Sequence, residues 1–278
     1  MIVRYYYGLF IFLMSMQLVA QPLFDSHLHY TAEDARRYTP EIILKKLDSN
    51  DIPYAVVIGT PAEYATRLYQ FAPERIIPVL SIYRESSDKQ TWTNDKTLLP
   101  YFEKQLEDDY WGGIGELHIF ANDRYSKVFE RVITLAAEKK LPLLMHADPV
   151  VIDRVFELAP GQIVIWAHAG TYPYADLVAD YLKRYPNLSI DVSMRDKRIA
   201  PDNMIDDDWY ELFVTYPDRI MVGVDTNSKS RWNTFNSAVS TIRNWLEQLP
   251  DEVAVKLAYV NAAKVYKKSA NENDKKDK

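Results

Sequence analysis

Histidine is scarce in this chain, five in 278 residues, and the five stand where they could act together. His27 and His29 flank a single leucine (FDSHLHY), and His118 follows Glu116 by two residues (GIGELHIF). His146 lies in LPLLMHAD and His168 in VIWAHAG, while Asp225 lies in IMVGVDT. Neutral imidazoles and carboxylates are ligands for zinc, and the same set suits manganese, iron or nickel. Cysteine is absent, which excludes disulfides, thiolate metal sites and a cysteine nucleophile. Structural zinc sites are closed by four ligands and mostly use thiolates, so this set points to a catalytic centre with a position open to water. A cation there lowers the pKa of its water toward ~7 and polarises a carbonyl. Each residue alone has an ordinary explanation: a satisfied histidine, a strand-end ion pair at Glu116, a helix cap at Asp225. Their joint arrangement carries the metal-site reading.

The elements that must position them alternate between strand and helix. Eight short apolar or β-branched runs read as strands: Leu23–His29, Tyr54–Gly59, Ile76–Ile82, Gly113–Ile119, Pro142–His146, Ile163–His168, Leu188–Ser193 and Ile220–Asp225. Helical periodicity is clear over Glu41–Asp48, Ser126–Lys139 and Trp232–Leu249. Eight strand–helix units predict a closed (β/α)8 TIM barrel in a single domain, residues 21–266, whose catalytic face is built from the C-terminal strand ends. Strand side chains alternate, so His27 and His29 share a face, as do Glu116 and His118. The spacing agrees. From Glu116 to His146 is 30 residues and from His146 to His168 is 22, one unit each. From His29 to Glu116 is 87 residues, three units, and from His168 to Asp225 is 57, two units.

Composition sets the class. With 47% apolar and 26% charged residues the chain is a globular protein large enough for a sizeable core. A net charge of −6 argues against a nucleic-acid partner, and a small-molecule substrate is expected instead. Arg4 precedes a mostly apolar run, Tyr5–Ala20, which reads as a cleavable export signal over 1–20 and implies a secreted or periplasmic protein without a stable membrane anchor. Its removal leaves 258 residues, with 32 basic against 39 acidic side chains. Residues 267–278 (KKSANENDKKDK) lack large apolar side chains and read as a disordered, charged tail. Near the strand tips, Asp148, Asp191, Ser193 and Arg195 are placed to orient ligands or substrate, and Trp111, Tyr172 and Tyr174 to line a pocket. Oligomeric state leaves no readable trace.

The ordered set resembles the amidohydrolase superfamily, and within it the amidohydrolase-related branch of lactonases and non-oxidative decarboxylases. The stretches that carry the resemblance are FDSHLHY, GIGELHIF, LLMHA, WAHAGTYPYADLVADYLKRYPNLSIDVS, VGVDT and VNAAKVY, from Phe24 to Tyr266. The resemblance implies that His27, His29, His146 and Asp225 bind one metal ion. It implies that His168 binds a second ion or polarises substrate and bound water. Many binuclear members carry a carboxylated lysine on strand four; here Glu116 takes that place and could bridge two cations, as a glutamate does in TatD-like nucleases. Strand five lacks the His-x-Arg of those nucleases, and the late histidine of PHP-type phosphoesterases is missing, so both phosphoesterase readings rank lower.

The activity this implies is hydrolysis of an ester, lactone or amide by metal-activated water, with Asp225 moving the proton and one or two zinc ions bound. A decarboxylase on the same site is the alternative, with Arg195 as its candidate cation; a non-catalytic metal-binding barrel is the remaining one.

Overall fold

A computed structural model of the chain describes residues 21–267. The expected export signal over 1–20 lies outside the described residues, as does the expected tail beyond the backbone of residue 267.

Eight strands form one parallel sheet whose spatial order is the chain order: β1 Phe24–Thr31, β2 Tyr54–Thr60, β3 Ile76–Leu80, β4 Gly113–Ile119, β5 Leu143–Ala147, β6 Val164–Trp166, β7 Leu188–Asp191 and β8 Ile220–Met221. The sheet curls until the chain just beyond β8 meets β1. Ser26 N–H donates to Val222 O at 3.0 Å and Asp225 N–H to His27 O at 2.7 Å. The TIM barrel expected from the strand count is therefore present, with a seam closed by a few bonds rather than a long ladder.

Eleven α-helices lie among the described residues: α1 Pro40–Asp48, α2 Glu63–Phe71, α3 Leu98–Gln105, α4 Lys127–Lys139, α5 Pro149–Leu158, α6 Ala175–Arg184, α7 Asp196–Ile199, α8 Asp207–Thr215, α9 Lys229–Asn233, α10 Phe235–Leu246 and α11 Asp251–Val255. α4 shows why the sequence folds this way. Ser126 caps it by accepting from Phe129 N–H, and Phe129, Val132, Ile133 and Ala136 form its buried stripe. The helix expected over Trp232–Leu249 divides at Thr234, where ψ is 15° and the hydroxyl bonds back to Ser230 O. No helix among the described residues is long and apolar enough to cross a membrane.

Two apolar layers result. The larger lies between barrel and helices. The smaller fills the lower lumen with Phe24, Val56, Ile58, Val79, Leu144, Ile165 and Met221, stoppered by Ala262 and Tyr266 near the chain's end. Each such side chain contributes about 1.5–3 kcal/mol when fully buried. Above this apolar plug the lumen turns polar.

Candidate metal centre

Two strands carry irregularities beside their site residues. The β1–β2 register shifts between Asp25 and Leu28, and the β4–β5 register shifts between Ile114 and Leu117. Bulges re-aim side chains, and these precede His29 and His118. At Gly115 φ is +144°, and a Cβ would stand 2.3 Å from Leu144 O, so glycine alone fits. Glu116 then points into the lumen, 2% exposed, and becomes the hub. Its Oε2 lies 2.9 Å from His118 Nε2, 3.3 Å from His29 Nε2 and 3.8 Å from His27 Nε2. Its Oε1 lies 3.0 Å from His168 Nε2 and 3.3 Å from His146 Nδ1.

His168 and Asp225 arrive differently from expectation. Ladder pairing stops at Trp166 and Met221, and the backbone then turns left-handed, with φ 59° at His168 and 54° at Asp225. These residues thus sit beyond the strands, not at their last paired positions. Positive φ is tolerated by His and Asp more than by most residues, and it persists only where the surroundings impose it. For His168 the restraint is Arg195, whose Nε donates to His168 O at 2.7 Å and Nη2 to Gly170 O at 3.1 Å. For Asp225 it is the seam bond to His27 O and the Asn227 N–H on Oδ1 at 3.0 Å. Asp225 Oδ1 then lies 3.5 Å from His29 Nε2, and Oδ2 3.6 Å from His168 Nε2.

Asp191 fixes the imidazoles from behind. Its Oδ2 accepts from His27 Nδ1 at 3.0 Å, and its Oδ1 accepts from the Ser193 hydroxyl and from Ser193 N–H at 2.9 Å. The Ser193 hydroxyl, its hydrogen given to Asp191, accepts from His168 Nδ1 at 2.8 Å. Both rings are thereby turned with Nε2 toward the centre. His27 Nε2 lies only 3.2 Å from His29 Nε2, a spacing that requires a proton or a cation between two lone pairs.

The charge balance explains which. Burial opposes a charge on His27, but Asp191, Asp225 and Glu116 outweigh it and hold its pKa up to about 10. Burial likewise opposes the charge on His168, which Glu116 nevertheless holds above the ordinary value. His29 is depressed by burial. Against burial, His27 draws Asp191 down to about 2, and the neighbouring imidazoles draw Glu116 well below the carboxylate range. The field that retains a proton on His27 Nε2 suits a divalent cation in its place, with His29 Nε2 and Asp225 Oδ1 completing an N, N, O donor set.

The amidohydrolase family model matches residues 103–268, more than half of the sequence. The chain belongs to this family. A search of curated sequences returns no match. Among solved structures it is similar to an Acinetobacter baumannii protein described as a probable 2-pyrone-4,6-dicarboxylic acid hydrolase with citric acid bound (14% identity, TM-score 0.59, 88% of this chain and 99% of that one). A Pseudomonas putida protein carrying the same provisional name gives 15% identity and a TM-score of 0.62, covering 89% of this chain and 98% of that one. An apo structure from Agrobacterium tumefaciens gives 11% identity and a TM-score of 0.56, covering 89% and 96%. These likenesses establish the fold, and family membership establishes an enzyme of the amidohydrolase type.

In this amidohydrolase the six expected ligands gather at the mouth, though not around one point. His27, His29 and Asp225 form one group, and His27, Glu116 and His168 another. His146, expected beside His27, His29 and Asp225, groups instead with Glu116 and His118, because β5 lies across an eight-stranded barrel from β1. Asp191, Ser193 and Arg195 touch the site as described. Asp148 instead ties loops together, accepting from Ala121 N–H at 2.8 Å and Thr171 Oγ1 at 2.6 Å. Trp111 does not line the mouth; it is buried before β4 with Nε1 on Gln105 O, while Tyr172 and Tyr174 are exposed after β6. Sequence reasoning missed Lys89, whose Nζ lies 3.2 Å from His118 Nε2. It also missed Tyr83, which receives His118 N–H at 2.8 Å. Both come from the β3–α3 loop, which carries no periodic signal.

Proposed function

We propose that this enzyme is a zinc-dependent hydrolase that cleaves an ester, lactone or amide bond of a small molecule, with the ion held by His27, His29 and Asp225. The observation that carries the reading is the convergence of His27 and His29 Nε2 with the Asp225 carboxylate, the His27 ring being oriented from behind by Asp191. When bound, the ion lowers the pKa of water and polarises the scissile carbonyl. Asp225 is placed to take the proton of the attacking water and return it to the leaving group. His168, whose charged form Glu116 favours against burial, lies with Nε2 3.0 Å from Glu116 Oε1 and 3.6 Å from Asp225 Oδ2, where its positive character would face the oxygen on which negative charge develops.

The resemblance to proteins named for 2-pyrone-4,6-dicarboxylic acid, a lactone, puts carboxylated lactones first among substrates to try. Decarboxylation is less well supported, because Arg195 uses Nε and Nη2 on the carbonyls of His168 and Gly170. Elemental analysis of purified protein, combined with a panel of lactones, esters and amides, tests the reading. Turnover lost on chelation and regained with zinc is expected; indifference to chelation, or no turnover by loaded protein, overturns it. The leader-like run over 1–20 adds export to the proposal, tested by N-terminal sequencing of the secreted or periplasmic form.

A further inference from the structure

The end of the barrel opposite the metal centre carries a cavity of about 820 Å3. Pro142, Ile163 and Asn187, which line it, each stand one residue before β5, β6 and β7, so the apolar plug of the lower lumen separates it from the histidines. Cavities of ~300–1,000 Å3 are the size that takes small ligands. Much of the wall is apolar. Leu158, Ile163, Pro186 and Val265 line it, and Leu158 and Ile163 are each 41% exposed. Apolar surface gathered in a concavity marks a place for a partner. Gln162 and Asn261, both buried, line the same space. Gln162 Nε2 donates to Leu141 O and Ile163 O, and Asn261 Nδ2 donates to Pro217 O and Ile220 O. Each amide therefore offers the cavity only its oxygen, an acceptor.

Cations outnumber anions around this cavity. Lys140, which closes α4 with φ 57°, and Lys264 both line it, are exposed and form no ion pair among the described residues. Arg219 spends Nε and Nη2 on the carbonyls of Leu188, Leu182 and Tyr185 and keeps Nη1 in reserve. The lining carboxylate, Asp218, is engaged by Lys256 at 3.1 Å. In a chain of net charge −6 such a rim runs against the overall balance. The rim suits an anion and the wall suits hydrocarbon, while the amide oxygens turn a carboxylate away from themselves and toward the lysines. The chain's own continuation is a poor occupant. Residues 267–278 (KKSANENDKKDK) hold no large apolar side chain and would bring five lysines against three acids to a rim already basic. A second copy meeting this face about a two-fold axis would set the same lysines against one another.

We propose that this cavity is a binding site for a small amphipathic carboxylate, a medium-chain fatty acid, its hydrocarbon against Leu158, Ile163 and Val265 and its carboxylate at Lys140 and Lys264. The site lies at the strand ends where such barrels do no chemistry, so it serves binding alone and is independent of the proposed hydrolysis. Chelator-treated full-length protein is titrated calorimetrically with octanoate and with its neutral counterpart 1-octanol, and circular dichroism confirms that each variant folds. One saturable site is expected, about tenfold tighter for octanoate than for 1-octanol. Lys140→Asn, which the left-handed turn tolerates, and Lys264→Gln should each weaken octanoate about three- to fivefold and leave 1-octanol unchanged. Ile163→Glu sets a carboxylate in the apolar wall and should weaken octanoate by about tenfold or more. If that variant does not fold, the two lysine variants decide. No saturable site, 1-octanol as tight as octanoate, or octanoate binding unmoved by both lysine variants or by folded Ile163→Glu overturns the proposal. So does sedimentation that finds a dimer dissolved by Ile163→Glu, since a second copy then fills the cavity.

Discussion

His27 and Asp191 meet wholly out of water, Nδ1 to Oδ2 at 3.0 Å, spanning from β1 past β8 to β7. The contact sets which nitrogen of His27 faces the centre, and through Ser193 the same carboxylate sets His168.

Asp191→Asn should therefore weaken metal binding by about 10–100-fold while leaving the barrel folded, because an amide no longer dictates the ring tautomer. Chelator competition on the variant measures this. An affinity equal to wild type would show that the ring orientation is set elsewhere.

Stability of the metal-free protein should depend on pH at both ends. His27 is raised from 6.5 to about 10, so its contribution is present below pH 6.5 and lost as pH climbs through 10. Asp191 is lowered from 3.8 to about 2, so its contribution is present above pH 3.8 and lost as pH falls through 2. Thermal unfolding across that range should give a plateau with a decline on each side. Because an ion must displace the His27 proton, binding at pH 7 should release protons, counted by calorimetry in buffers of different ionisation heat.

Gly115→Ala should destabilise by about 2–4 kcal/mol, since φ is +144° and the new methyl meets Leu144 O at 2.3 Å. Denaturant midpoints give the value. A loss under 0.5 kcal/mol would mean that β4 relaxes freely and does not hold Glu116 rigidly.

Arg195→Met frees the carbonyls of His168 and Gly170 and should cost about 1–3 kcal/mol. Once a substrate is in hand, kcat should fall with little change in KM, because the guanidinium positions His168 rather than binding substrate. Arg195→Lys should not restore it, since one ammonium cannot replace the guanidinium fork spanning the two carbonyls. A selective rise in KM would assign Arg195 to substrate instead.

The fold was legible because its signals are local. The apolar, β-branched run Tyr54–Gly59 announces β2, and the helical spacing of Phe129, Val132, Ile133 and Ala136 announces α4. The histidines and Asp225 stood out by rarity and by spacing in whole strand–helix units. What stayed hidden was conformational: the left-handed turns at His168 and Asp225 depend on Arg195 and on the seam, partners distant in sequence or on another strand. The separation of His146 from the group of His27, His29 and Asp225 follows from barrel closure, which brings β8 to β1 and leaves β5 opposite. Lys89 lay in a loop whose path no periodicity encodes.

That sparse join between the chain's first strand and its last has a mechanical consequence. His27 and His29 stand on one side of it and Asp225 on the other, so an ion shared by them acts as a rivet through the hoop's weakest stave. Unloaded protein should breathe there first, with the amides of Ser26 and Asp225 exchanging with solvent faster than their neighbours in β2 and β3. Loading the ion should slow exchange at those two amides, so the barrel's own stiffness becomes a gauge of occupancy.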